Sequence, residues 1–127
     1  MQRISFRDLF EDIGTERMRF SQRAEALSGQ TVELRGYLAA MHSDPRQIVL
    51  ASSAGVCPDC AERPVAYLHL PGFAPGAGLF EAQAVRLQGT LSYGFAIAPE
   101  GYASFLRLER ASVATGLKPG MFGARRS

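Results

Sequence analysis

The chain is short of the residues that most often carry chemistry. It has two cysteines, two histidines and a single lysine in 127 residues. With only Cys57 and Cys60, it is not one of the cysteine-dense secreted scaffolds that rely on several bridges. No window approaches the roughly 20 apolar residues of a membrane-spanning helix. No block of like charge is long enough to form a nucleic-acid-binding arm. No paired carboxylates, glycine-rich phosphate loop before a helix or serine–histidine signature is present, so no residue is nominated as catalytic. The first residues, Met1 to Asp8, carry charges where an export signal needs an apolar stretch. As written, the chain is expected to be cytoplasmic with its thiols reduced, or exported if a leader has been removed.

What is there is ordinary for one globular domain. Hydrophobic residues make up 46% and charged residues 20%, with a net charge of +2. A chain of this size buries roughly two-thirds of its unfolded surface, so it has a core without help from disulfides or metal. Thirteen of its fourteen basic residues are arginine, Lys118 being the exception. Arginine suits phosphate or carboxylate recognition, and a GC-rich genome produces the same bias.

Residues 1–29 read as a helical extension. Phe6, Leu9, Phe10 and Ile13 fall at i, i+3, i+4 and i+7, one face of a helix. Ser5 is a candidate N-cap with acidic Asp8 three residues on, and Gly14 is a stop. A second helical piece runs from about Thr15 to Leu27. The apolar face of the first helix either packs on its own domain or docks onto a second copy, making a homodimer. Phe6, Leu9, Phe10 and Ile13 are then the partner interface.

From Thr31 the period changes to two. Val32, Leu34, Gly36 and Leu38 point one way, Glu33 and Arg35 the other. Gly36 predicts a bend or bulge. Further strands are expected over Gln47 to Ser52, Val65 to Leu70, Val85 to Ile97 and Tyr102 to Val113. Five curled strands in residues 30–115 predict an all-β, five-stranded, OB-like antiparallel barrel, which removes exposed sheet edges. Residues 116–127 form a loose tail.

The run from Ala26 to Leu38, with Gly29, Val32, Leu34, Gly36 and Tyr37, resembles the opening of a bacterial family of small OB-like domains. Ala51 to Cys57 resembles that family's small-residue turn with a cysteine. Gly89-Thr90-Leu91 and Leu108-Glu109-Arg110-Ala111 resemble its two closing strands. The resemblance spans about residues 24 to 114 and implies an OB-like fold. It also implies export or a lipid anchor, although here Pro58 and Asp59 lead to a second cysteine. The family's function is itself uncharacterised.

Two candidate sites follow. Cys57-Pro58-Asp59-Cys60 is half of a zinc site, with His69 as a third ligand. The same pair is also consistent with a redox turn, which lacks the activating helix here, or with a structural turn of small thiols. The second site is a single-stranded nucleic-acid surface. Arg35, Tyr37, Tyr67, Arg86 and Arg107, with Tyr93 and Phe105, lie on outward positions where bases stack and phosphates pair. The expectation is a binding or interaction module, with zinc as its one candidate cofactor.

Overall fold

A computed structural model describes residues 2–41, 46–53, 64–73, 84–99 and 101–115. In chain order the elements are β1 (Gln2–Ile4), α1 (Phe6–Leu9), β2 (Phe10–Glu11), β3 (Arg19–Phe20) and α2 (Gln22–Ala26). They continue as β4 (Thr31–Ala40), β5 (Ile48–Ala51), β6 (Tyr67–His69), β7 (Ala84–Ile97) and β8 (Ala103–Thr115).

The last five strands close on themselves in the order β4-β5-β6-β8-β7, with β7 returning to β4. This is the expected five-stranded all-β barrel, with one correction: it is mixed. β6 runs parallel to β8, where His69 pairs with Arg107, while the other four pairings are antiparallel. The first barrel strand closes on the fourth and the third on the fifth. β1 adds to β4 in parallel, Gln2 opposite Val32.

Alternation fills the interior. Leu34, Leu50, Leu68, Leu87, Leu91 and Leu108 are fully buried, as period-two patterning requires. Gly36 belongs here for a different reason from the one its sequence suggests. The register of β4 against β7 runs without a shift from Thr31 to Tyr37, so there is no bulge. A Cβ at Gly36 would lie 2.7 Å from Leu50 Cγ, 2.9 Å from the Ala51 carbonyl oxygen and 3.0 Å from Phe6 Cε2. Curvature comes instead from register shifts in the β7–β8 pair, one of them spanning Gly94 at φ 125°.

The N-terminal segment departs from the expected short first helix and second helical piece from about Thr15 to Leu27. Its start is as read: the Ser5 N–H donates to the Asp8 carboxylate at 2.7 Å. Its end comes early. Phe10 is extended, at φ −132° and ψ 142°, and pairs with Phe20 in a short antiparallel ribbon. Asp12 (φ 55°) and Gly14 (φ 90°) turn the chain between β2 and β3. Likewise the helix expected from Thr15 begins only after Ser21, whose Oγ accepts from the Ala24 N–H. The helix-period side chains are still buried. Phe6, Leu9 and Phe10 join the barrel's own core with Ile4, Ala24 and Leu27, and Ile13 packs half-buried against it.

Glu33 ties this segment down. Its carboxylate is buried and lies 3.0 Å from Arg3 Nε on β1 and 3.5 Å from Arg86 Nη1 on β7. Among the described residues, no helix is long and apolar enough to cross a membrane.

Candidate functional site

Among the described residues the seam between β6 and β8 is joined at one position, His69 with Arg107. Towards Tyr67 and Val65 on one side and Phe105 and Ala103 on the other, a cleft of about 280 Å³ opens. The β2–β3 ribbon closes its remaining wall with Phe10, Met18, Arg19 and Phe20.

The walls are aromatic. The Phe20 ring sits 5.2 Å from Phe10, 6.1 Å from Phe105 and 5.5 Å edge-on from Tyr93. These are ordinary separations for interacting rings. Phe105 in turn lies 5.3 Å from Phe95. Phe95, Ile97 and Phe105 are 60%, 61% and 49% exposed, the large apolar side chains left most open to solvent among the described residues. Phe105 therefore belongs both to the cleft and to an apolar strip running out along the β7–β8 hairpin. The reason is alternation: Leu106 and Leu108 take the interior, which turns Phe105 and Arg107 outward.

The polar groups around the cleft are already engaged. His69 is buried, its Nε2 is 2.6 Å from Gln47 Oε1, and its ring lies 4.5 Å from that of Tyr102. Arg107 is buried too. Its Nη1 donates to the Ser104 carbonyl oxygen and Oγ, each at 3.1 Å, and its Nη2 donates to Ser92 Oγ at 3.0 Å. At the rim, Arg19 lies 2.6 Å from Glu11 and 3.8 Å from Asp12. Burying a charge without a partner is costly, and each cation here has one.

The sequence-derived sites distribute as follows. Cys57, Cys60 and His42 lie outside the described residues, so only His69 of the proposed metal ligands is placed, at the inner end of the cleft. Among the described residues, no group of three or more His, Cys, Asp or Glu side chains could hold a metal ion. The nucleic-acid set divides. Tyr37 pairs with Ala51 and Ala51 with Tyr67, so the two tyrosines flank a small residue on the outer face. Arg35 sits 5.9 Å over the Tyr37 ring and opposite Arg86 across the β4–β7 pair. Arg86 is drawn to Glu33, and Arg107 is tied down on the other side of Tyr67. Of that set Tyr67 and Phe105 line the cleft. Phe20 and Tyr102 also line the cleft, and neither carries a sequence motif that marks it as a site residue. The available signal was the outward register of Phe105 beside them.

No protein-family model matches the chain, and no curated protein matches it. Its fold is similar to that of a DUF3299 family protein from Pseudomonas aeruginosa PAO1, with a TM-score of 0.54 and 13% sequence identity. The match covers 90% of this chain and 96% of that one. At that identity the likeness is one of fold, and it reaches the N-terminal segment as well as the barrel.

Proposed function

We propose that the chain is a binding module whose ligand site is the aromatic cleft at the β6–β8 seam, and that it takes a neutral, ring-bearing apolar group. The observation that carries this reading is the half-exposed Phe105, held in ring contact with Phe20 and Phe95 beside an open cleft. An aromatic surface kept open to water costs stability unless something covers it in use. The cleft's size, near the lower limit for small-ligand pockets, fits one or two rings and not a large cofactor. Its position supports the reading as well. OB-like barrels bind ligands at the second and third strands and at the loop between the fourth and fifth. Here that corresponds to β6 and the residues following the β7–β8 turn.

A nucleic-acid strand is the less favoured ligand. Phosphates need cations that are not already neutralised, and Arg19, Arg86 and Arg107 each have a carboxylate within 4 Å, Glu11, Glu33 and Glu109 in turn. A zinc ion held by Cys57, Cys60 and His69 rests on spacing alone. Metal analysis of chelator-free protein tests it, with about one zinc per chain expected and none retiring it.

The ring-binding reading has a simple assay. The chain has no tryptophan and four tyrosines, two of which, Tyr67 and Tyr102, line the cleft. Titration with N-acetyl-phenylalaninamide should change tyrosine emission in a saturable way. Ala103→Trp, which fills the cleft from its exposed rim, should abolish the saturation. A linear, unsaturable response in both proteins would defeat the proposal.

A further inference from the structure

Independently of the cleft, we infer a second site: the groove between the N-terminal segment and the β4–β5 corner binds a small, soluble phosphate monoester. Arg7 and Arg35 are the residues that hold the anion.

The groove is a product of packing. Alternation turns Arg35 outward on β4 and Gly36 inward. With no side chain at Gly36, the Phe6 ring comes within 3.0 Å of the point a Cβ would occupy. Phe6 opens α1, so the next residue, Arg7, is carried to the same corner. β4 pairs with β5 as far as Tyr37 and Ala51, and Ser52 and Ser53 follow directly. Arg7, Arg35, Ser52 and Ser53 line one groove of about 930 Å³, with Phe6 and Ile13 among its apolar walls. That volume is at the upper end for small-ligand sites.

The acids around the groove are already engaged. Asp8 lies 3.2 Å from Arg23, and Glu11 and Asp12 face Arg19. Glu33 is shared between Arg3 and Arg86. Among the described residues, no carboxylate lies within 4 Å of Arg7 or Arg35. Arg35 also stands directly opposite Arg86 in the β4–β7 pair. Like charges so placed repel, and an anion at Arg35 relieves the repulsion. The Tyr37 ring, its centroid 5.9 Å from the guanidinium carbon, steadies Arg35.

Two guanidinium forks match the double charge and the several acceptor oxygens of a phosphate monoester. The hydroxyls of Ser52 and Ser53 are further donors for those oxygens. Those of Ser5 and Thr15 already donate, to the Asp8 carboxylate and the Asp12 carbonyl oxygen. A polynucleotide is a poorer match, because two cations neutralise only two of its phosphates.

The probe is glycerol phosphate, titrated by calorimetry at low salt and about pH 7.5, where the phosphate is largely dianionic. It should bind with a dissociation constant below about 1 mM, and glycerol should not bind. Arg7→Gln and Arg35→Gln should each weaken binding about tenfold, as expected when a charged hydrogen bond is lost. Both are exposed, so the melting temperature and the N-acetyl-phenylalaninamide titration should not change. Arg110→Gln removes the same charge from an exposed position on β8, outside the groove, and should change binding less than about twofold. An equal loss in Arg110→Gln, or no saturation by glycerol phosphate, would overturn the inference. Succinate binding as tightly would overturn the phosphate assignment. Tighter binding to phosphatidate vesicles would overturn the assignment to a soluble ligand. None of these outcomes touches the cleft reading.

Discussion

Replacing Gly36 by alanine adds one methyl group at the tightest point between the N-terminal segment and the barrel. The new Cβ would stand 2.7 Å from Leu50 Cγ, 2.9 Å from the Ala51 carbonyl oxygen and 3.0 Å from Phe6 Cε2. Leu50 is fully buried and Phe6 nearly so, and the Ala51 oxygen belongs to the backbone of a paired strand. Relief therefore requires β4 and β5 to move apart. Overpacking of this kind costs about 1–3 kcal/mol, and a rigid backbone contact places it near the upper end. The alanine also restricts the unfolded chain, returning about 0.4–1 kcal/mol. The net expectation is a loss of about 2 kcal/mol, or about 8 °C in melting temperature for a domain of this size. Urea unfolding followed by circular dichroism measures it. The double variant Gly36→Ala with Leu50→Ala sharpens the test. Truncating Leu50 removes the shortest contact, so the double loss should fall short of the sum of the singles by about 1 kcal/mol. A single-variant loss under about 0.5 kcal/mol, or strictly additive losses, would refute the steric account of this glycine.

Leu9→Ala should cost about 3 kcal/mol, because a fully buried leucine of the N-terminal segment lies in the barrel's own core. A melting curve unchanged from wild type would show that the segment packs apart from the barrel. Gly101→Ala should cost about 1 kcal/mol through backbone strain alone, since its φ is 95° and nothing lies within 4 Å of an added Cβ. Equal stability by urea titration would contradict that. Glu33→Gln should cost about 1 kcal/mol, kept small because the Arg3 side chain is 73% exposed. The cost should shrink in about 1 M salt, where exposed charges are screened, and a salt-independent cost would point to packing instead.

The barrel was legible because its signal is local. Side chains alternate within each strand, and Val32, Leu34 and Leu38 reveal the inward face of β4 without reference to any partner. The N-terminal segment shows the limit of that signal. The spacing of Phe6, Leu9 and Phe10 marked them for burial, and they are buried, but burial does not determine backbone. Phe10 leaves the helix because its ring partner is Phe20 in a facing strand, a contact between residues ten apart that helical periodicity does not encode. Gly36 was legible as unusual, but its reason, contact with Leu50 and Phe6, exists only after folding. The cleft was least legible. It is formed where β6 and β8, distant in sequence and parallel, meet at one pair and then diverge, with a ribbon from residues 10–20 as its third wall. Phe105 and Tyr67 could be placed outward from the sequence, but not on the same opening.

The central claim is that this opening is where the molecule binds. An NMR map of amide shifts during titration with N-acetyl-phenylalaninamide tests it most directly. The account predicts saturable changes concentrated at Val65, Tyr67, Phe20 and the stretch from Ala103 to Leu106. Changes centred on Arg35 and Tyr37, or spread evenly over the surface, would contradict it.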